Sequence, residues 1–353
     1  MSLVYGYLFW LGIKRGGLTN PSAEIMNKLI DRFDREIRYL RISVTDRCDL
    51  RCIYCMPKEG ILRKTHEDIL SFEEIYRIVK VSAGLGVWKI RITGGEPLVR
   101  KGLPLLISRL KTISGLKEIA LTTNGLSLKE YASSLKAVGL DRINISLDSL
   151  IPERFSAITR GGNLSDCLIG IESAFSAGFE TIKINTVLLR NFNTDEITDI
   201  AELTREQPIN VRFIECMPTG LVKDDLFFSC SEAKKALFHL GTLEPVTDEN
   251  HGPAKVYRLN GFRGTVGFIS PMSEPFCSTC DKLRMTADGR LRSCLHSSRA
   301  VDLRKAIMNG ASDEGLATII REAVMLKPRS HNLTESPLGA AASENFSMCQ
   351  IGG

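Results

Sequence analysis

Between residues 39 and 217, six short apolar runs alternate with segments of helical periodicity, and this alternation restricts the fold more than any other feature of the chain. The runs at 39–45, 87–93, 118–123, 142–147, 181–189 and 210–217 are rich in Ile, Val and Leu, as strands covered on both faces must be. A capping box at Ser71-Phe72-Glu73-Glu74 starts one helix and Gly84 and Gly86 end it: the Ser oxygen bonds the amide three residues on while the Glu reaches back. Further helical patterns cover roughly 103–112, 128–138, 165–177 and 195–205. Six βα units in succession require a parallel sheet, doubly wound or rolled into a barrel. The alternation ends near Pro218. A loop-rich stretch follows with one helix near 232–239, then strands at 254–259 and 265–269 and helices at 301–308 and 314–326. The expected divisions are an extension over 1–25, an α/β core over 26–220, a smaller C-terminal region over 221–334, and a small, polar tail over 335–353 that reads as flexible.

In parallel α/β folds the reactive groups gather at the carboxyl ends of the strands. Here the strands carry Arg41 and Asp46; Lys89, Arg91 and Gly94-Gly95-Glu96-Pro97; Thr122 to Gly125; Ser146 and Asp148; Lys183 and Asn185; and Arg212, Glu215 and Met217. A packed barrel interior is ordinarily filled by branched apolar side chains. Polar groups recurring on six strands together point to a ligand-filled interior. Lys89, Arg91, Lys183 and Arg212 suit a phosphorylated substrate, although any one of them could equally pair with an acid on a neighbouring element. Gly94-Gly95 lets backbone approach a ligand closely.

The loop after the first strand reads TDRCDLRCIYCMP, placing Cys48, Cys52 and Cys55 in a C-x₃-C-x₂-C spacing. A cubane iron–sulfur cluster normally takes four thiolates; three from one loop leave an iron open to a substrate or cofactor. A second set, Cys277-x₂-Cys280-x₁₃-Cys294, again offers three thiolates. His296 lies two residues beyond, so a Cys₃His zinc site is the alternative there. The remaining Cys167, Cys216, Cys230 and Cys349 read as ordinary thiols. Clustered rather than scaffold-like cysteines indicate a reducing, cytoplasmic setting.

A net charge of +5 with scattered basic residues argues against a nucleic-acid surface. The apolar start MSLVYGYLFWLGI is too short for a membrane span of about 20 residues. Lys14-Arg15 follow it rather than precede it, unlike a signal peptide. Residues 1–25 therefore read as a disordered extension, with ordered structure or translation starting near Met26.

The stretches LRISVTDRCDLRCIYCMP, KIRITGGEPLVR, LTTNG, RINISLD, VRFIECMP, the spacing FCSTC to CL, KPRSHNL and the terminal Ile-Gly-Gly together resemble the GTP 3′,8-cyclase family of molybdenum cofactor biosynthesis, within the radical S-adenosylmethionine (SAM) superfamily. The cysteine loop alone specifies only the superfamily; the second cysteine set and the Gly-Gly end specify the cyclase. The resemblance implies an α/β fold, an incomplete (β/α)6 TIM-like barrel, with a C-terminal α+β region carrying a second Fe–S cluster. It implies two [4Fe–4S] clusters, at Cys48, Cys52 and Cys55 and at Cys277, Cys280 and Cys294, the first binding SAM and the second meeting the guanine base. Tyr54, Gly95, Ser146 and Met217 match SAM contacts. Arg41, Arg91, Thr122, Lys183, Lys282, Leu283 and Arg284 match GTP contacts, with Lys89 and Arg212 further basic positions. Arg41, Lys282, Arg284, Gly352 and Gly353 match catalytic positions, the last two on a tail that enters the site. The family commonly has Arg where this chain has Lys282, which keeps the charge and loses the planar fork. The implied partners are GTP as substrate, cyclic pyranopterin monophosphate synthase downstream, and a second copy in a homodimer, with neither nucleic acid nor membrane. Two other readings compete: a peptide-modifying radical SAM maturase, which the basic strands suit less well than a triphosphate, and a non-catalytic zinc or iron scaffold.

Overall fold

The structure, a computed structural model, describes residues 28–218, 224–247, 252–297, 299–331 and 348. The expectations for residues 1–25, for Gly352 and Gly353, and for the tail apart from Met348 fall outside the described residues. The strands are β1 (Tyr39–Ser43), β2 (Lys89–Thr93), β3 (Glu118–Thr123), β4 (Arg142–Ser146), β5 (Ile182–Leu188), β6 (Ile209–Glu215), β7 (Leu243–Val246), β8 (Lys255–Leu259), β9 (Thr265–Ile269), β10 (Lys282–Met285), β11 (Arg290–Arg292) and β12 (Val301–Asp302). The helices are α1 (Phe72–Gly84), α2 (Leu103–Lys111), α3 (Leu128–Ala137), α4 (Pro152–Thr159), α5 (Leu164–Ser176), α6 (Ile197–Glu202), α7 (Cys230–Ala236), α8 (Leu303–Met308) and α9 (Asp313–Met325). No helix among the described residues is long and apolar enough to cross a membrane.

All strands join one sheet in the order β12-β11-β10-β1-β2-β3-β4-β5-β6-β9-β8-β7. The six expected strands form its parallel centre. The C-terminal region adds one parallel strand at each edge, β10 beside β1 and β9 beside β6. Antiparallel strands continue outward from both. The sheet does not close on itself, so this is an incomplete barrel. The chain between β9 and β10, which carries Cys277 and Cys280, links the two outermost parallel strands.

The strands obey a period of two. Leu40 and Ile42, Ile90 and Ile92, Ile119 and Leu121, Ile143 and Ile145, Ile182 and Ile184, Val211 and Phe213, and Leu283 and Met285 are buried in one core that extends under the helices. Each contributes about 1.5–3 kcal/mol by leaving water. The alternate positions, which in a closed barrel would be apolar filling, are here mostly charged or polar. Ser71 caps α1 as its sequence requires, accepting from the Glu74 amide at 3.1 Å while Glu74 Oε2 accepts from the Ser71 amide at 2.7 Å.

Several elements differ from the sequence reading. Helix α4 and strands β7, β10 and β11 lie where no such element was expected, and the expected helix at 301–308 begins as the short strand β12 before α8.

A candidate active site inside the open barrel

The inward positions of the strands enclose a cavity of about 410 Å³ lined by both cysteine sets. It brings together Arg41, Tyr54, Lys89, Arg91, Gly95, Thr122, Ser146, Lys183, Arg212, Met217, Lys282 and Arg284 with Cys48, Cys52, Cys55, Cys277, Cys280 and Cys294. Leu283 is the exception. Its side chain is buried in the core on the opposite face of β10, so only its main chain is left for any substrate contact. Met348 also lines the cavity, and its N–H donates to the Cys55 carbonyl at 3.2 Å.

The first cysteine loop is fastened on three sides. The Arg51 and Ile53 amides donate to the Thr159 and Ile158 carbonyls at 3.0 and 2.9 Å, at the end of α4. Asn124 Nδ2 donates to Asp49 at 2.7 Å. The third fastening is the glycine pair: the Gly95 and Glu96 amides donate to the Thr45 and Arg47 carbonyls at 2.7 and 2.8 Å. A Cβ on Gly95 would lie 2.2 Å from the Arg47 oxygen and 3.0 Å from Cys48 Cβ. The close approach read from Gly94-Gly95 is therefore an approach to the cysteine loop itself, although Gly95 also faces the cavity. Gly95→Ala is expected to push the loop away and destabilise the protein by about 1–3 kcal/mol. The lowered urea midpoint should come with lost iron in the reconstituted protein; a variant with wild-type stability and iron content would refute this account.

Two carboxylates behind the loop are buried and firmly held. Glu96 accepts from the Leu98 amide, the Thr123 hydroxyl and the Asn124 amide at 3.0, 2.7 and 2.7 Å. Burial outweighs these donors and lifts its pKa to about 7. Asp148 accepts from the Tyr54 hydroxyl at 2.6 Å and the Val187 amide at 2.8 Å, and burial lifts it to about 6. For Glu96 the folded protein holds its proton more tightly than the unfolded chain. Its contribution is thus fully present below about pH 4.5 and is lost as pH rises toward 7, by about 3 kcal/mol in all. Urea unfolding of wild type and Glu96→Gln from pH 4 to 8 should show the wild type losing ground across that window; parallel curves would refute the shift.

Register aligns Arg284, Arg41 and Arg91 side by side on β10, β1 and β2. Burial and the neighbouring Arg284 bring the Arg41 pKa down to about 9. Burial also lowers Arg284. One row below, Lys282, Tyr39, Lys89 and Glu118 are register neighbours. The Lys89 ammonium pairs with Glu118 at 3.0 Å, Glu118 also holds Arg142 at 2.9 Å, and Lys282 pairs with Asp281 at 2.8 Å. The Tyr39 ring lies 5.4, 5.7 and 5.5 Å from the charged ends of Lys89, Arg91 and Lys282. Burial would raise its phenol, but Arg91, Arg41, Lys89 and Lys282 outweigh it and lower the pKa. Arg91 donates to Thr122 at 3.3 Å, and Arg212 to Asn210 at 2.7 Å. Arg91 Nε, Asn144 Oδ1 and Asn185 Oδ1 are buried without a hydrogen-bond partner among the described residues. Since buried polar atoms are almost always satisfied, a cavity with these in its wall suits a polar, anionic ligand.

Tyr39 and Asn144 were not among the expected residues, although each sits two positions from a nominated residue, Arg41 or Ser146, and so faces the same way. Glu96 and Asp148 were read as strand-end groups, with no role assigned to either.

The donor chemistry fits iron–sulfur clusters: each set offers three thiols, one short of a full cubane complement. Among the described residues no three His, Cys, Asp or Glu side chains converge on a single-ion site. His296 packs edge-to-face on His331, ring centroids 5.4 Å apart, and burial lowers its pKa to about 4. The two sets differ electrically. Burial, Asp148 and Cys48 drive the Cys52 thiol upward. At Cys280 burial acts in the same direction, but Lys327 and Lys282 outweigh it and lower the thiol.

Comparison with known proteins agrees with this architecture. The family model described as the radical SAM superfamily matches residues 42–204, and the model described as molybdenum cofactor synthesis C matches 209–333. A GTP 3′,8-cyclase of Heliobacterium modesticaldum is 48% identical over 331 residues, covering 92% of this chain and 100% of that protein. One from Moorella thermoacetica is 48% identical, covering 92% and 99%, and one from Petrotoga mobilis 45%, covering 92% and 100%. Among solved structures, Streptococcus suis SuiB bound to its precursor peptide SuiA has a TM-score of 0.57 at 15% identity, covering 83% of this chain and 72% of that one; this likeness speaks to the fold alone.

Proposed function

This chain belongs to the GTP 3′,8-cyclase family of the radical SAM superfamily, and from that premise we propose how its cavity serves the reaction. The enzyme converts GTP to (8S)-3′,8-cyclo-7,8-dihydroguanosine 5′-triphosphate, the first step of molybdenum cofactor biosynthesis. Membership of the superfamily brings a [4Fe–4S] cluster and SAM. Cys48, Cys52 and Cys55 would hold that cluster, with Tyr54, Gly95, Ser146 and Met217 around SAM. Cys277, Cys280 and Cys294 would hold a second cluster that meets the guanine base. When bound, the first cluster and SAM supply the one-electron chemistry that takes hydrogen from C3′ of the ribose, so that this carbon can bond to C8.

The side chains position the substrate and neutralise its charge. Arg41, Arg91 and Arg284 form one edge of the triphosphate site, with Thr122 fixing Arg91. Lys183 and Arg212 face them from β5 and β6. Lys89, anchored by Glu118, and Lys282, anchored by Asp281, add positive charge from the row below without moving far. The Leu283 main chain, and the Gly352-Gly353 tail beyond Met348, complete the substrate contacts. We further propose a cytoplasmic homodimer whose product passes to cyclic pyranopterin monophosphate synthase, and chain divisions at 25, 220 and 334.

The observation that carries the reading is the row of three arginines in a cavity bordered by both cysteine sets. Enclosed like charges are costly without an anion to offset them, and a triphosphate supplies several anionic oxygens that guanidinium forks bind in pairs. The test is an anaerobic assay of the iron- and sulfide-reconstituted protein with SAM, GTP and a reductant. GTP-dependent 5′-deoxyadenosine together with a product of GTP mass carrying the 3′,8 bond is the expected result. SAM cleavage with GTP left unchanged would overturn the substrate assignment.

A further inference from the structure

The second cysteine set is bound by a short segment that the proposed chemistry leaves unused, Lys327 to His331. Lys327 is 2% exposed. Its ammonium donates to the Lys282 carbonyl at 2.8 Å and to the Ser293 carbonyl at 2.7 Å. These two carbonyls are its hydrogen-bond partners among the described residues. Lys282 is two residues beyond Cys280, and Ser293 immediately precedes Cys294. One side chain thus ties together the two stretches of chain that deliver the cysteines. The segment is bolted to Cys277 as well. The buried Arg35 donates to the Cys277 carbonyl at 2.7 Å and to the Pro328 carbonyl at 2.6 Å, with its own charge met by Asp31 at 2.6 Å. His331 closes the other end through the Pro271 carbonyl at 2.9 Å and the His296 ring.

An ammonium buried this deeply is strongly disfavoured unless negative charge lies beside it. Arg35 has the Asp31 carboxylate. Lys327 has two neutral carbonyls, one on each stretch that delivers a cysteine, so the negative charge that offsets it is that of the second cysteine set. A cation buried beside a cluster's ligands favours the more negative, reduced form, since the charge and hydrogen bonding around a cluster set its potential.

We propose that Lys327 is a positioning residue of the second cysteine site: it clamps the strand after Cys280 to the loop before Cys294 and holds a buried positive charge beside that cysteine set, which keeps the cluster in place and raises its reduction potential. This rests on the reading of Cys277, Cys280 and Cys294 as a cluster site.

The full chain is reconstituted anaerobically as wild type, Lys327→Met, Lys327→Gln and Cys277→Ala. Iron and sulfide per chain are measured, together with a potentiometric titration followed by electron paramagnetic resonance. Lys327→Met is expected to lose roughly half of the iron and sulfide, matching Cys277→Ala. Lys327→Gln keeps two donors for the carbonyls and loses the charge; it is expected to retain the second cluster at a more negative potential. SAM cleavage without GTP reports that each variant's barrel is folded. Wild-type content and potential in Lys327→Met would overturn the clamp, and an unshifted potential in Lys327→Gln would overturn the role of the charge. Equal iron in wild type and Cys277→Ala is a separate failure, of the second-cluster reading itself, and the inference falls with it.

Discussion

Cys52→Ala is expected to abolish SAM cleavage, whereas Cys277→Ala is expected to keep it and lose only the cyclised product. The two cysteine sets line one cavity but belong to different parts of the fold. Cys52 sits in a loop fastened to α4, to the Asn124 turn after β3 and to the glycine pair, while Cys277 sits in the chain between β9 and β10, the outermost parallel strands of the sheet. Loss of one thiolate from a set of three leaves too few ligands to retain a cluster. Even residues one step outside a metal's ligands typically contribute 10- to 100-fold, so a lost ligand should lower the affected activity by more than about 100-fold. Mass spectrometry of 5′-deoxyadenosine and of the nucleotide product separates the two halves of the reaction. Wild-type product formation in Cys277→Ala would remove the second set from the mechanism, and wild-type SAM cleavage in Cys52→Ala would do the same for the first.

How much could be read beforehand depended on whether the information was local. The six central strands were legible because Ile90 and Ile92 on β2, or Ile143 and Ile145 on β4, combine β-branched side chains with short bounded runs. Their inward polar residues were legible for the same reason: Lys89 and Arg91, or Lys183 and Asn185, are spaced by two. Helix α4 was missed because PERFSAIT is short, and its Pro at the first helical position, a start signal, was not used. Yet it is a main support of the cysteine loop. Strand β10 carried a signal that was not used, since Lys282-Leu283-Arg284-Met285 alternates polar and apolar. Alternation reports a strand and its two faces, and it places Leu283 opposite Arg284. It does not report that β10 would pair with β1, some 240 residues earlier. Register over such distances was the missing quantity throughout. Lys89 looked like a free phosphate ligand because Glu118 becomes its neighbour only through the β2–β3 pairing. At Gly95 the missing Cβ makes room for Arg47 and Cys48, an approach that depends on how the cysteine loop folds back and that the glycine pair does not spell out.

That same register makes the arginine row a compromise between stability and substrate binding, and Arg91→Met should expose both sides of it. Arg91 is buried, its Nε has no hydrogen-bond partner among the described residues, and it adds to the charge that lowers Arg41. Exchanging a poorly compensated buried cation for an apolar side chain of similar length is often stabilising. Without GTP, the variant is therefore expected to gain about 1 kcal/mol, seen as a Tm rise of about 1–2 °C for a chain of this size. With GTP the sign reverses. A charge-assisted bond to phosphate in an enclosed site contributes roughly 2–4 kcal/mol, so kcat/KM for GTP should fall about 30- to 1,000-fold. SAM cleavage in the absence of GTP should stay near wild type, because Arg91 lies in a register row set back from the cysteine loop along β1. Thermal melts of the GTP-free protein and steady-state kinetics on the same preparation decide the matter together. A lower Tm with unchanged kcat/KM would mean that Arg91 is a structural cation held by Thr122 and Tyr39, and that the anion this cavity binds is neutralised by other side chains.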